Sequence, residues 1–396
     1  MRIVCGRRAL HAGLALLKPA IKETPNAPVL SHVLLRAEGG HVCLVANNLE
    51  IAIAREITAE IQEEGAVAVP WQRLEHLAAH LPGRADQPVE MEGLPGANTL
   101  SVRSGQSRAA IVGMHASEFP ALPAQGQIAE EGSVCFSLDA ALFASLVGKV
   151  AFAAATSEKR TVLRESPILR GMLVLVSGQS LTLAARDAYR LAACEIQLQE
   201  KPEREGAAVI PAWSAKEFAR LLAAARTGRP VRLVLDEQRA QVSCHLPGLV
   251  LMARLLTGDY PMGFRQYFAR AYQARVVVGR QAMASALRSV ARIASADGDL
   301  VALECQRGTG AGIVRVGAQA QGQGEQAEEI DAISLEGAGC QLLLKLPQLA
   351  GAVAAIDAPH LALEVSAPQE PVVVRPVGDQ SGANSVYVLV PCFRNE

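Results

Sequence analysis

Most of this chain consists of short apolar runs of strand length separated by turn residues, and few stretches show helical spacing. In the first third, strands are predicted over 2–5, 33–36, 42–46, 51–57 and 66–69. Helices are predicted where leucines recur every three or four residues, over 6–21 and from Pro70 to about Leu81. The pattern therefore predicts a mixed fold in which strands outnumber helices.

The same order of elements recurs twice further along the chain. A strand at 134–136, a helix from 138 to about 152 and a hairpin over 172–185 lead to Pro211, and a third series leads from 276–278 to Pro347. Pro70 and Pro211 are 141 residues apart, and Pro211 and Pro347 are 136 apart. We therefore predict an α+β protein of three repeated domains, 1–127, 128–263 and 264–396, each with two helices and antiparallel sheets.

Composition supports several domains and gives no global sign of a nucleic-acid-binding protein. The chain has 396 residues, half of them apolar, which is enough for more than one core, and its net charge is −1. Eight cysteines are scattered singly without a C-x-x-C pair, which argues against zinc and against a disulfide framework. The N-terminus lacks a signal peptide and no run is long enough to span a membrane, so a soluble cytoplasmic protein is expected.

Signatures of catalysis are missing from the sequence. There is no G-x-S-x-G, H-E-x-x-H or Walker glycine loop. The glycine-rich run over 308–312 is interpreted as a hairpin tip, because 313–316 reads as a strand where a dinucleotide site needs a helix. We therefore expect neither catalysis nor a cofactor.

Charges on the predicted helices are mostly basic, although the chain as a whole is near neutral. Basic residues on any one helix are explained equally well by an ordinary solvated face. Their recurrence in all three repeats favours a surface that contacts the phosphates of DNA of any sequence, without a base-reading element. Any DNA contact must then be local.

Segments spread over the whole chain resemble the bacterial sliding clamp family, the beta subunit of DNA polymerase III. They are L-R-G-M-L over 169–173, R-D-A-Y-R-L over 186–191, P-N-A-P-V-L-S-H-V-L-L over 25–35, V-R-S-G-Q-S over 102–107, F-P at 119–120, Y-P at 260–261, A-E-E-I-D over 327–331 and Y-V-L-V-P over 387–391. Each segment alone is weak, but their order and spacing make the resemblance specific.

The resemblance implies a non-catalytic head-to-tail homodimer, a ring that encircles double-stranded DNA and confers processivity. Its implied partners are the catalytic subunit of DNA polymerase III, the clamp loader and other proteins with clamp-binding peptides. Two alternatives stay open. One is a divergent paralogue that serves repair or a mobile element, because Arg186, Ala188 and Tyr189 replace the family's small residue, glycine and histidine. The other is a non-replicative interaction scaffold.

The resemblance also implies three groups of site residues. A peptide-binding pocket is expected from Leu169, Arg186, Asp187, Ala188, Tyr189, Arg190, Leu191, Pro261, Arg265, Val388, Leu389, Val390, Pro391 and Cys392. DNA contacts are expected from Lys18, Lys22, Thr24, Arg73, Lys149, Lys159, Arg160, Arg164, Pro167, Ile168, Lys216, Arg220, Arg280 and Arg288. A dimer interface is expected between Arg108, Ala109, Ala110 and Ile111 on one copy and Ile293 and Ala294 on the other.

Departures from the family pattern modify two of these expectations. Tyr189 fills space that histidine leaves and Arg186 adds a charge, which predicts a partner peptide that is smaller or more acidic than usual. Ala109 stands where the family has a large aromatic, which predicts a weaker dimer.

Overall fold

The computed structural model describes residues 1–94, 98–120, 132–156, 166–225, 228–307, 311–367 and 369–392. The described residues form the helices α1 (Arg7–Leu17), α2 (Trp71–His80), α3 (Ala140–Val150), α4 (Ala212–Ala225), α5 (Arg280–Ala296) and α6 (Leu346–Ala355). Within these ranges no helix is long and apolar enough to cross a membrane. Antiparallel strands make up most of the remaining structure.

Strands are numbered in chain order. The first repeat of the pattern contains β1 (Arg2–Gly6), β2 (His32–Glu38), β3 (His41–Asn47), β4 (Ile51–Ile57), β5 (Ala59–Glu63), β6 (Gly65–Pro70), β7 (Pro88–Leu94), β8 (Thr99–Ser104) and β9 (Ser107–Val112). The second contains β10 (Val134–Asp139), β11 (Gly171–Ser177), β12 (Ser180–Arg186), β13 (Arg190–Gln197), β14 (Gly206–Pro211), β15 (Pro230–Asp236), β16 (Gln241–Leu246) and β17 (Leu249–Arg254). The third contains β18 (Ala274–Gly279), β19 (Leu300–Gln306), β20 (Ile313–Ala320), β21 (Gly324–Gly337), β22 (Cys340–Lys345), β23 (His360–Val365), β24 (Val372–Val377) and β25 (Asn384–Leu389).

One compact unit consists of Met1–Ala140 and Arg220–Leu255. It contains a five-stranded sheet in the order β5-β1-β7-β8-β9 and an eight-stranded sheet in the order β10-β15-β16-β17-β4-β3-β2-β6. Leu10, Leu14 and Leu17 on one face of α1 are fully buried. A Cβ at Gly13 would come within 2.9 Å of side-chain atoms of Ile57 and Leu44, so a glycine lets α1 lie close to β3 and β4.

The other compact unit consists of Ala141–Ala219 and Leu256–Glu396. It contains a twelve-stranded sheet in the order β14-β11-β12-β13-β25-β24-β23-β18-β21-β20-β19-β22. Met283, Leu287 and Val290 form the buried face of α5. Two 3₁₀ segments, Pro167–Arg170 and Met262–Tyr267, lie beside the β11 to β13 part of this sheet through the buried side chains of Leu169 and Phe264.

The predicted α+β class with antiparallel sheets is confirmed, and prolines set several helix boundaries. Helix α1 ends at Leu17 and Pro19 follows in a short 3₁₀ turn, so the helix is shorter than the predicted 6–21. Pro70 is the N-cap residue of α2, and Pro347 lies in the first turn of α6, where its missing N–H costs no hydrogen bond. The division into three domains stays a prediction.

Candidate functional site

A tight turn built by Asp187 joins β12 to β13. Its Oδ1 accepts hydrogen bonds from the backbone N–H groups of Tyr189 (2.8 Å) and Arg190 (3.0 Å), and its own N–H donates to the Arg190 carbonyl (3.0 Å). Its Oδ2 receives the Arg190 Nε–H at 3.2 Å. Asp187 is therefore a structural residue of the turn, and both of its carboxylate oxygens are engaged.

Strand β25 brings the C-terminal pocket residues to this turn. Arg190 lies opposite Leu389 and Leu191 opposite Val388, and the N–H of Val390 donates to the carbonyl of Tyr189 at 2.9 Å. The structure thus unites residues 186–191 with 388–390, which are about two hundred positions apart in the chain. Farther on, the N–H of Cys392 donates to the Leu343 carbonyl at 2.7 Å, and Pro391 is buried.

Three of the expected apolar pocket residues, Leu169, Leu191 and Val388, belong to one buried cluster. The cluster also contains Ala155, Ile168, Leu173, Ala184, Ala193, Val209, Tyr260, Phe264, Val373 and Val386. Leu389 is buried but lies outside this cluster, because successive strand residues face opposite sides of the sheet. The expectation that Leu389 lines the pocket together with Val388 is therefore wrong.

Large apolar side chains remain exposed at the edge of this cluster. Tyr189 is 40% exposed, Val390 39% and Met262 41%, and Pro261, which directly precedes Met262, is exposed as well. Ala188 and Arg265 are also exposed. We call Tyr189, Val390 and Met262 the apolar rim. Sequence reasoning missed Met262, although its place directly after the Tyr260-Pro261 pair was a usable signal.

Tyr260 anchors the 256–268 segment against β12. Its hydroxyl donates to the Ala184 carbonyl at 3.2 Å, and burial raises the pKa of this phenol well above its usual range, while the nearby charge of Arg186 opposes that rise. Arg186 is half-buried, and its Nε–H is enclosed without an acceptor among the described residues. The pocket therefore contains an unpaired guanidinium N–H beside an apolar cluster.

Arg190 continues the positive charge on the other side of the turn. Its guanidinium lies over the ring of Phe152, 5.5 Å from the ring centroid, in a cation–π contact. Lys216 on α4 has a lowered pKa, first because burial of its surroundings disfavours the charged amine and second because Arg190 is near. Arg186, Arg190 and Lys216 thus outnumber Asp187 around this turn.

Most of the expected DNA-contacting residues are accessible, each within its own unit. Lys18, Lys22, Arg73, Pro167, Lys216, Arg220 and Arg288 are exposed, and Thr24 and Arg280 are half-buried. Lys22 pairs with Glu50 at 3.3 Å, an exposed contact that phosphate can replace. Lys159, Arg160 and Arg164 lie outside the described residues.

Two of the expected DNA-contacting residues, Lys149 and Ile168, are buried and cannot contact DNA. Lys149 is 3% exposed, and its Nζ donates to Asp379 Oδ2 at 3.1 Å and to Ser381 Oγ at 3.0 Å. Ile168 is buried in the apolar cluster. Neither side chain is available to a phosphate, because one is neutralised inside the unit and the other packs into its core.

The expected dimer residues on the first unit lie on β9, an edge strand whose neighbour in the sheet is β8. Arg108 and Ala110 are exposed, Ala109 is half-buried and Ile111 is buried. Of the two residues expected to meet β9 from the other copy, Ile293 is half-buried and Ala294 is fully buried on the inner face of α5. Ala294 therefore cannot contact a second copy, and its assignment to the interface is wrong.

The described residues contain no cluster of three or more His, Cys, Asp or Glu side chains that would hold a metal ion. All eight cysteines are free thiols. The site therefore offers a buried apolar cluster, the exposed side chains of the apolar rim and the unpaired Nε–H of Arg186.

Comparison with known proteins gives a consistent result along the chain. The family model of the DNA polymerase III beta subunit N-terminal domain matches residues 1–123, and that of its central domain matches 137–262. The chain is 29% identical over 406 residues to the beta sliding clamp of Synechocystis sp. and 28% identical over 395 residues to that of Synechococcus elongatus, with 99% of each chain covered in both cases. The crystal structure of the DNA polymerase sliding clamp from Bacillus subtilis matches it with a TM-score of 0.87 at 20% identity, over 100% of both chains.

Proposed function

The chain belongs to the family of the DNA polymerase III beta subunit, the bacterial sliding clamps, and from this premise we propose that two copies close head to tail into a ring around duplex DNA. Members of this family are processivity factors rather than enzymes. In this proposal the chain is built from three clamp domains, 1–127, 128–263 and 264–396, and the ring from six.

One observation carries the proposal. The equivalent strands of the first and second repeats, β4 and β13, each have a neighbouring strand on both sides, whereas residues 324–331 of their counterpart β21 have a described neighbour on one side alone. Strand β4 lies between β3 and β17, and β13 lies between β12 and β25. Residues 324–331 of β21 pair with β20, and β18 pairs only with the later residues of β21, from Ala332 onward. Among the described strands none occupies the other side of 324–331.

Three buried isoleucines give the register of the strand pair that a second copy would form with residues 324–331. Ile57, Ile196 and Ile330 occupy equivalent places in β4, β13 and β21, each 7–9% exposed. Four residues before the first two are Ile53, which faces Leu251, and Ala192, which faces Tyr387. Four residues before Ile330 is Gln326.

The strand that pairs with β4 or with β13 is the last strand of the following repeat, β17 or β25. For β21 the corresponding last strand is β9 of a second copy. Leu251 precedes the buried Ala253 by two positions on β17, and Tyr387 precedes the buried Leu389 by two on β25. On β9 the equivalent pair is Ala109 and Ile111. We therefore expect Ala109 of one copy to lie opposite Gln326 of a second copy in an antiparallel strand pair.

Closure follows from the nature of this contact. Because the two strand edges differ, the contact is heterologous, and such contacts form a ring or an open filament. A ring also leaves no exposed strand edge at this position, whereas an isolated chain leaves 324–331 available for non-specific pairing.

The proposed DNA contact is electrostatic. The exposed Lys18, Lys22, Arg73, Lys216, Arg220 and Arg288 lie on or beside helices. They would contact phosphates without reading bases, so binding is expected to be insensitive to sequence and to weaken as salt is added.

The proposed partner site is the cleft formed by Leu169, Leu191 and Val388 and the apolar rim. A short peptide with a leucine and an aromatic residue would bury the rim and fill the cleft. The partners expected for such a pocket are the DNA polymerase III catalytic subunit, the clamp loader and other proteins that carry clamp-binding peptides.

Sedimentation of variants at the proposed strand pair tests the function. The wild type should sediment as a dimer of twice 41.8 kDa, and Ala109→Arg and Gln326→Arg should each give a monomer, because a charged side chain would be buried between the strands. The matched control is Gln319→Arg, on an exposed position of the neighbouring β20, which should stay dimeric. A monomeric wild type at micromolar concentration, or a dimer unaffected by Ala109→Arg, would reject the proposal.

A further inference from the structure

Arg186 is the one member of the pocket whose local contacts leave a buried donor unused. It is the last residue of β12 and lies opposite Leu191 at the start of β13. Its Nε–H is enclosed, and no described residue accepts a hydrogen bond from it. An enclosed donor without an acceptor costs free energy, so the position is favourable only when an acceptor arrives.

The neighbouring residues bond to other partners and do not accept from Arg186 Nε. Both oxygens of Asp187 are taken, Oδ1 by two backbone N–H groups and Oδ2 by Arg190. The Tyr260 hydroxyl lies beside Arg186 and donates its proton to the Ala184 carbonyl, and the Arg186 Nε–H does not bond to its oxygen. Arg186 therefore differs from Arg190, which has both a carboxylate and an aromatic ring.

The charge on the cleft side of the sheet favours an anion. Arg186 lies opposite Leu191 and therefore faces the same side of the sheet as Leu191, and its charge reaches the Tyr260 hydroxyl there. Arg190, opposite Leu389, faces the other side, and Asp187 pairs with it rather than with Arg186. An anion in the cleft would meet the Arg186 guanidinium, whose planar fork matches a carboxylate.

The apolar rim sets what else the ligand must carry. Tyr189 and Val390 are joined by a backbone hydrogen bond at 2.9 Å, so the rim beside Arg186 is held in place. A ligand that covers this rim needs apolar side chains, and one that also satisfies Arg186 needs a carboxylate close to them.

We propose that the cleft selects peptides that carry a carboxylate next to an apolar anchor, and that Arg186 binds this carboxylate. The inference rests on the proposed function, since it assumes that the cleft takes a peptide. The carboxylate has two possible sources, an aspartate or glutamate side chain and the free C-terminus of the peptide.

Binding of short peptides to the full chain tests the proposal. The probes share a leucine and a phenylalanine anchor, with Asp or Asn at each remaining position and with a free or amidated C-terminus. For the wild type, at least one Asp peptide or the free C-terminus should bind about tenfold more tightly than its neutral counterpart. The Arg186→Gln variant should bring that ratio close to one, and the control Lys201→Gln, at an exposed lysine beyond β13, should leave it unchanged.

Each outcome separates the inference from the proposed function. Peptide binding without any preference for the charged probe, or a preference that survives Arg186→Gln, overturns the role of Arg186 and leaves the peptide site standing. Absence of binding for every probe overturns both.

Thermal unfolding of Arg186→Gln serves as the folding control, and its midpoint should equal or exceed that of the wild type, because the variant removes an unsatisfied donor. A higher salt concentration should reduce the preference for the charged probe in the wild type but not in Arg186→Gln.

Discussion

Lys149 on α3 and Asp379 on the connection between β24 and β25 form a buried ion pair, with Nζ and Oδ2 3.1 Å apart and side chains 3% and 12% exposed. Ser381 Oγ accepts a second hydrogen bond from the same amine at 3.0 Å. The pair ties α3 to the segment that precedes β25, the strand that supplies Val388 to the cleft. Its role is therefore to position a wall of the pocket.

Removing one partner of this pair should destabilise the protein. Lys149→Met leaves the Asp379 carboxylate without its counter-ion, and we expect a loss of about 3 kcal/mol in the free energy of unfolding, since Asp379 keeps some solvent contact. Denaturant unfolding measures it. The double variant Lys149→Met with Asp379→Leu should recover most of the loss, and a single variant as stable as the wild type would contradict a structural role for the pair.

The ion pair should also make stability depend on pH in the acid range. Burial alone would raise the pKa of Asp379, but hydrogen bonds from Ser381 and Lys149 and the charge of Lys149 outweigh it and hold that pKa below its usual range. The unfolded value is about 3.9, so the contribution is complete above that pH and is lost as pH falls through the lower folded pKa. Unfolding measured between about pH 5 and 2 should show this loss. Asp379→Asn should give a flatter profile, and identical profiles would refute the assignment.

Leu169 should be a main determinant of peptide affinity, because it is buried in the apolar cluster beneath the rim. Leu169→Ala is expected to weaken binding of a standard leucine and phenylalanine peptide by about 2 kcal/mol. Tyr189→His should tighten binding of the same peptide, because the smaller ring opens the entrance. Isothermal titration calorimetry measures both. Unchanged affinity in both variants would mean that the peptide site lies elsewhere.

Cys305 and Cys340 face each other on the antiparallel strands β19 and β22. The interaction of the two neighbouring thiols raises the pKa of Cys305, together with burial, and lowers the pKa of Cys340. Directly opposed strand residues have a Cα separation that a disulfide can span. Treatment with a small disulfide should therefore oxidise the pair to an intramolecular bond, with two equivalents of the reagent's thiol released.

Mass spectrometry after proteolysis detects that bond as a linked peptide pair. Cys340→Ser should abolish it, and Cys392→Ser, at another half-buried cysteine, should not. Recovery of both thiols unmodified after oxidation, while exposed thiol controls react, would contradict the contact between them.

Patterns local in sequence predicted much of the fold. Leucine spacing located α1 and α2, prolines located the starts of α2 and α6, and the repeat of elements located the equivalent strands. The period-two alternation would also have placed Leu389 on the side opposite Val388. The spacing of Leu287, Val290 and Ala294 already marked Ala294 as a core residue. The periodicity of the strand and of the helix therefore decides where Leu389 and Ala294 lie, whatever their counterparts do in the family.

Contacts between distant residues could not be predicted in this way. Lys149 looks like one more basic residue on a helix, and its partner Asp379 is 230 positions away. The unpaired Nε of Arg186 likewise depends on how Asp187, Arg190 and Tyr260 use their own atoms. Such features depend on three-dimensional packing, because no local pattern encodes which acceptor is already taken.

If two copies enclose DNA, covalent closure of the ring should lock them onto a circular molecule. Ala109→Cys combined with Gln326→Cys places one thiol on each side of the proposed strand pair. The dilute protein is allowed to reassemble in the presence of nicked circular DNA and is then oxidised, and the complex is washed in denaturing detergent. Ala109→Cys alone is the matched control. We predict that the double variant stays with the circular DNA and is released when the DNA is linearised or the disulfides are reduced. Release from intact circles, or equal retention on linear DNA, would contradict enclosure.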